Sequence, residues 1–343
     1  MASRLQYLNL KWAVAGSLAL VLVVVVLGAF TRLVDAGLGC PDWPGCYGHL
    51  LWPNDEQEIA VAEVLFPDTP VDLDKTWPEM VHRYFAGGLL LVVFAVALVS
   101  WRTEEYASQR TLTTSLLVLI ICQAAFGAWT VTLKLWPQVV TAHLLGGFAT
   151  FSLLWVLYMR LGGAQWLDLP RVRTLLNEVS LVRHMRIALI LVIIQIALGG
   201  WVSSNYAALA CADFPTCYAS YWPPMDMAAG FNILQSVGPN YLGGLLDNEA
   251  RIAIHWAHRI GALVVTFMVG WLIIRLWSRH LMVAGLLLAI LLVQVTLGIL
   301  NVVWSLPLAI ATAHNACGAL LLLALVTVNF APPNGSNLAV KGM

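Results

Sequence analysis

The feature that most constrains this chain is a series of long runs without one charged residue. The clearest are Trp12–Thr31, Tyr84–Trp101, Thr111–Leu133, Leu135–Met159 and Ile187–Ala212, and a last run, Leu281–Val340, is long enough for two spans broken near Ser305-Leu306-Pro307. About 20 apolar residues cross the roughly 30 Å of bilayer hydrocarbon, so these runs give seven spans. Between Arg259 and Arg275 the uncharged run is only Ile260–Ile274. The sixth helix must therefore start upstream and carry His258 and Arg259 into or near the outer face of the bilayer. Charge at such depth is costly and marks function, unless the side chain simply snorkels from a helix end. The expectation is an all-α membrane protein of eight transmembrane helices.

Composition agrees. Of 343 residues 60% are hydrophobic and 10% charged, against about 25% charged in a soluble domain. With 18 basic and 18 acidic residues, the chain lacks the basic surface that nucleic-acid binding needs. Arg4, Lys11, Arg102, Arg110, Arg160, Arg171, Arg173, Arg183, Arg186, Arg275 and Arg279 fall in the N-terminal tail and the loops after even-numbered spans. Opposite them stand mainly Arg32, Lys75 and Lys134, with Arg83, Arg251 and Arg259 at helix starts. The positive-inside rule puts both termini in the cytoplasm. The first run is long for a signal peptide and has no small-x-small site before Arg32, so it reads as a retained helix.

The chain repeats itself. The step from Gly28 to Gly199 also carries Cys40 onto Cys211, Asp42 onto Asp213, Pro44 onto Pro215 and Cys46 onto Cys217. The same step aligns Gln123 with Gln294, Gly127 with Gly298, Thr141-Ala142-His143 with Thr312-Ala313-His314, and Gly147 with Gly318. His82-Arg83 and His258-Arg259 correspond once about five residues are inserted in the second long loop. This order predicts two pseudo-symmetric four-helix bundles of parallel topology: an N-terminal half over 1–160, a cytoplasmic linker over 161–186 and a C-terminal half over 187–343. Each half has a long first outer loop, near 32–78 and 207–250. Gln123, Gln195 and Gln294 each precede a glycine by four residues, which fits an interhelical hydrogen bond beside a close contact.

Of the eight histidines, His49, His184 and His280 are expected at the solvated surface. His82, His143, His258 and His314 fall in the first turns of spans two, four, six and eight, at one outer depth and two per repeat. A bundle core with two facing imidazoles suits a six-coordinate heme. Core histidines in interhelical hydrogen bonds are the plain alternative, and neither half offers the dense ligand cluster of a zinc or copper site. Arg83 and Arg259 follow a candidate ligand directly, and either pair with heme propionates or snorkel. Glu79 shares a helix face with His82, and its counterpart in the repeat is His255. A carboxylate there can take protons or stabilise positive charge, or simply favour a helix start.

Cys40 and Cys46 bracket Pro-Asp-Trp-Pro-Gly, and Cys211 and Cys217 bracket Ala-Asp-Phe-Pro-Thr, both in outer loops where disulfides are permitted. The second pair reads as a staple; the first reads as either a staple or a redox-active pair that exchanges with a thiol partner. No Cys-x-x-Cys-His occurs, which argues against covalent heme. Cys122 and Cys317 read as packing residues.

Together the duplicated four-helix unit, the paired loop cysteines, Glu79-x-x-His82-Arg83 and the two Thr-Ala-His motifs resemble the heme A synthases over nearly the whole chain. The resemblance implies His82 and His143 as ligands of the substrate porphyrin, His258 and His314 as ligands of a heme b cofactor, and Glu79 as a catalytic glutamate. It implies that Cys40 and Cys46 match a pair tied to activity or heme transfer, with Cys211 and Cys217 as the second pair. His255, on the face of His258, stays open as an alternative ligand. The implied reaction oxidises a ring methyl of heme O through successive hydroxylations to a formyl group, giving heme A for cytochrome c oxidase. It implies a multi-pass protein of the bacterial inner membrane in contact with lipid, with heme O synthase and cytochrome c oxidase assembly factors as partners and an unidentified electron acceptor. Two rivals are a di-heme b-type electron-transfer cytochrome, which predicts equivalent sites in both halves, and a heme transporter or chaperone, in which the cysteines matter more than Glu79.

Overall fold

The computed structural model describes residues 2–332. In chain order its helices are α1 (Ala2–Leu33), α2 (Glu56–Leu65), α3 (Leu73–Arg102), α4 (Arg110–Thr132), α5 (Pro137–Arg160), α6 (Leu169–Thr174), α7 (Val179–Ser204), α8 (Met227–Gly230), α9 (Asn248–Trp277), α10 (Leu281–Val303) and α11 (Leu308–Phe330). Eight of these, all but α2, α6 and α8, are long and apolar enough to cross a membrane. Among the described residues there is no β-strand, only single bridges from Cys46 to His49 and from Cys217 to Ser220.

Helix limits differ from the apolar runs where polar residues take part in a helix. The third helix α3 starts at Leu73, well before Tyr84, because Asp72 caps it by accepting the N–H of Asp74 at 3.1 Å. The sixth span, α9, starts at Asn248 and takes His258 and Arg259 into its body, as the short uncharged run required. The fifth span runs Val179–Ser204, not Ile187–Ala212. It gains Arg183, His184 and Arg186 at one end and stops at the other where Tyr206 turns into the left-handed region, φ 55°. The break after α10 falls at Ser305 and Leu306, both at positive φ, with Pro307 before α11. The predicted uncharged run to Val340 continues beyond the helix end at Phe330, and its residues after 332 lie outside the described part.

Two rings of four helices result. In one, α1 packs on α3, α3 on α4, α4 on α5 and α5 on α1; in the other, α7 packs on α9, α9 on α10, α10 on α11 and α11 on α7. They meet through α1, α5, α7 and α11. At the end opposite the disulfide loops, Glu178 accepts from Arg275 at 2.9 Å and from Arg279 at 3.1 Å, and Trp155 donates to Thr327 at 2.8 Å across the halves. At the loop end Arg32 donates to the Ser203 carbonyl at 2.6 Å and lies over the Tyr206 ring.

The main core is not spread evenly along the bundle. Inward of His82, His143, His258 and His314, its first fully buried members are Leu89, Phe148, Val265 and Ala319. Toward the loops the described residues form three small clusters, under the disulfide loops and the α7–α9 connection. The packed half therefore acts as a floor, and the histidines stand above it.

Candidate functional site

Four histidines form two pairs. His82 on α3 and His143 on α5 lie within electrostatic reach of each other, as do His258 on α9 and His314 on α11. They are not in the first turns: His143 and His314 each lie six residues after the helix starts Pro137 and Leu308, His82 nine after Leu73 and His258 ten after Asn248. The helices α3 and α9 begin in polar sequence, Asp74-Lys75 and Asn248-Glu249, so they rise above the apolar layer before the histidine is reached.

Each ring rests on a glycine of a neighbouring helix. A Cβ built on Gly28 would stand 2.9 Å from Cε1 of His82; on Gly199 it would stand 3.3 Å from Cε1 of His258. On Gly127 and Gly298 it would meet Cε1 of His143 at 3.6 Å and of His314 at 3.1 Å. These are the glycines that the internal repeat aligned, and their close approach is what the repeat preserves. The Nδ1 atoms of His82, His143 and His314 are shut off from solvent without a hydrogen-bond partner among the described residues. Gln195 Nε2 lies 3.1 Å from Nδ1 of His258 and donates to its carbonyl at 2.9 Å; Gln294 Nε2 lies 3.3 Å from Nε2 of His314. The glutamines thus touch candidate ligands. Their spacing to glycine pointed to a helix contact but could not name the histidine across it.

Among the described residues no three His, Cys, Asp or Glu side chains gather as a metal-ion site. Each half pairs two such imidazoles, and in the C-terminal half His255 lies nearby with its ring nitrogens at the Ala207 carbonyl and Arg259. That donor set fits an iron that brings four nitrogens of its own, as in a porphyrin, and the orphaned Nδ1 atoms of His82, His143 and His314 and the glycine cradles fit the same group.

Above the pairs lie the cysteine loops, both closed as disulfides, Cys40–Cys46 and Cys211–Cys217. Asp42 accepts from the backbone N–H groups of Tyr47 at 2.6 Å and Gly48 at 2.9 Å. Asp213 does the same for Tyr218 at 2.7 Å and Ala219 at 3.0 Å, and also accepts from Thr216 at 2.5 Å. The Thr216 hydroxyl, then the Ala219 and Tyr218 amides, hold the Asp213 carboxyl down to about 2.

Glu79 is buried and points at this loop: it accepts from Cys40 N–H at 2.9 Å and pairs with Arg83. Arg83 also donates to the carbonyls of Asp42 at 2.9 Å and Gly45 at 2.5 Å. His255 is buried with Nδ1 3.0 Å from the Ala207 carbonyl and 3.4 Å from Cys211 N, while Nε2 accepts from Arg259 at 3.1 Å. Arg259 donates further to the carbonyls of Thr216 and Cys211, each at 2.7 Å.

Three smaller expectations change. His280, expected in solvent, is 4% exposed at the N-cap position of α10, where its side chain makes no capping bond. His49 and His184 are half-buried, the first 3.9 Å from Glu58 and the second bonded to the Ser180 carbonyl at 2.6 Å. Cys122, expected to pack, is exposed on the outward side of α4, whereas Cys317 is buried and donates to Ile290.

Comparison with known proteins adds the family. The model of the COX15-CtaA cytochrome oxidase assembly proteins matches residues 11–326. A heme A synthase of Shewanella oneidensis is 44% identical over 329 residues, 94% of this chain and 96% of that protein. Heme A synthases of Parvibaculum lavamentivorans and a Caulobacter species are 25% and 27% identical, each over at least 90% of this chain.

Proposed function

The chain belongs to the COX15-CtaA family of cytochrome oxidase assembly proteins, and from that premise we propose that it is a heme A synthase, oxidising a ring methyl of heme O to a formyl group. The observation that carries this reading is the pairing of His82 with His143 and of His258 with His314, every ring set against a glycine, in a chain 44% identical to a heme A synthase.

We assign the N-terminal half, 1–160, to the substrate and the C-terminal half, 187–343, to a resident heme b, as two pseudo-symmetric bundles joined by the linker 161–186. What distinguishes the halves is Gln195, which stands against His258, whereas the matching position before His82 is Val24. A ligand oriented by a neighbour, as Gln195 orients His258, suits a group that stays. His255 is the weaker ligand, because both its ring nitrogens are engaged, Nδ1 at the Ala207 carbonyl and Nε2 by Arg259, whereas Nδ1 of His314 has no partner among the described residues.

When bound, heme b supplies a one-electron relay for the electrons withdrawn from the substrate. The protein's own contribution is positional. His82 and His143 hold the substrate at one depth, the packed floor below excludes water and limits how deep it sinks, and the disulfide loop covers it from above. Arg83 and Arg259 are spent on loop carbonyls, so the structure favours them as loop anchors over propionate partners. A farnesylated porphyrin is apolar enough to arrive through lipid, and α1 and α11 leave a lateral apolar groove of about 570 Å³ lined by Val26, Phe30, Leu308 and Thr312. The excess of basic residues at the end opposite the loops supports a cytoplasmic side there, with both termini, in the bacterial inner membrane. Partners under this reading are heme O synthase upstream and cytochrome c oxidase assembly factors downstream.

The test is to supply heme O to the purified protein in lipid nanodiscs with an electron acceptor and oxygen, then analyse the extracted pigments. Formylated porphyrin is expected; none under turnover conditions removes the reading.

A further inference from the structure

We infer that Glu79 and His255 are equivalent positioning residues: each, with the arginine one turn further on, clamps the disulfide loop of its own half to the helix that carries His82 or His258.

The two residues differ in chemistry and occupy the same place in the repeat. Glu79 accepts the Cys40 N–H with one oxygen and Arg83 with the other. His255 receives Arg259 on Nε2. An arginine can only donate, so Nε2 is the acceptor and Nδ1 carries the proton, which it gives to the Ala207 carbonyl at 3.0 Å. Each arginine then reaches over the loop: Arg83 to Asp42 and Gly45, Arg259 to Thr216 and Cys211. The loop, the clamp residue and the arginine form one closed set in each half. A carboxylate and an imidazole are interchangeable here only because the task is to accept from an arginine and fix the start of the loop.

Position does the rest. Glu79 precedes His82, and His255 precedes His258, by three residues on one helix face. A loosened loop therefore frees the turn next to the candidate ligand. Each oxygen of Glu79 accepts one hydrogen bond while the loop is clamped, which fixes the carboxylate between Cys40 and Arg83.

The experiment uses the full chain in nanodiscs. Opening of each disulfide by a water-soluble phosphine is followed by alkylation and mass spectrometry. Glu79→Ala should speed opening of Cys40–Cys46 by about tenfold, the effect of losing charge-assisted hydrogen bonds, and leave Cys211–Cys217 unchanged. Glu79→His, which installs the other half's residue, should restore a rate within about twofold of the wild type. His255→Ala should speed only Cys211–Cys217, and should shift the low-spin resonance of the heme-loaded protein through His258. Unchanged opening rates, no rescue by Glu79→His, or an unshifted resonance would each overturn the clamp. Should Glu79→Ala fail to accumulate, amide exchange at Cys40 in the wild type decides: slow exchange supports the clamp and free exchange refutes it. Opening rates need no porphyrin, so a colourless protein would sink the proposed function and leave the clamp standing.

Discussion

Gly28 lies directly beneath the imidazole of His82, with room for no side chain: an added Cβ would stand 2.9 Å from Cε1. Across the same pair of imidazoles, Gly127 leaves 3.6 Å to His143. Ordinary contact begins at 3.4 Å, so the first distance is a clash and the second is not, and the difference makes a graded prediction.

Gly28→Ala should displace His82 and weaken porphyrin binding in the N-terminal half by about tenfold, as overpacking costs about 1–3 kcal/mol. Gly127→Ala should bind within about threefold of the wild type, since its methyl group fits. Titration of each variant with heme O, read in the Soret band, checks both. Equal loss in the two variants would mean that glycine spacing does not set the histidine.

Replacing His314 by alanine should cost the C-terminal site more than about 100-fold in heme affinity, more than the loss of an outer-shell partner. His255→Ala should retain that heme, because its Nε2 serves Arg259. Pyridine hemochrome content of the two purified variants separates them. Loss of heme only in the His255 variant would exchange their roles.

Arg32 ties α1 to the end of α7 through the Ser203 carbonyl and stacks 4.1 Å from the Tyr206 ring centroid. Arg32→Ala should lower stability by about 1–3 kcal/mol, the sum of one charged hydrogen bond and a cation–π contact. Arg32→Lys should recover part of it, since an ammonium reaches the carbonyl but stacks less well. Thermal unfolding in detergent measures the order of the three proteins.

Asp213 gives the second disulfide loop a pH limit. Its carboxyl is held down to about 2 from 3.8, first by Thr216 and then by the Ala219 and Tyr218 amides. A depressed carboxylate stabilises above its free value and loses that contribution as pH falls through the folded one. Phosphine opening of Cys211–Cys217 should therefore be independent of Asp213 from neutral pH down to about 4 and should accelerate below it. Asp213→Asn should remove that acid step. A step persisting in the variant would assign it elsewhere.

What the sequence could show depended on whether the signal was local. Helices announce themselves by uncharged runs, and the shortfall between Arg259 and Arg275 correctly placed the start of α9 upstream. Disulfide partners were legible because both members of a pair lie in one short loop. Contacts across helices were not. Glu79 looked distinctive because its repeat partner is a histidine, yet both side chains turn toward a loop, which only the folded chain reveals. Gln195 was legible as the donor of an interhelical hydrogen bond, but not that His258 receives it. His280 misled because basic neighbours in sequence do not report the helices that close over it. Cys122 misled because an apolar helix gives no sign of which side faces lipid.

The uneven packing of the bundle carries a last consequence. Below Leu89, Phe148, Val265 and Ala319 the interior is solid; above them it is shaped around rings. Under the proposed function a large flat guest is traded at the loop end of the bundle, while the opposite end stays filled by packed side chains.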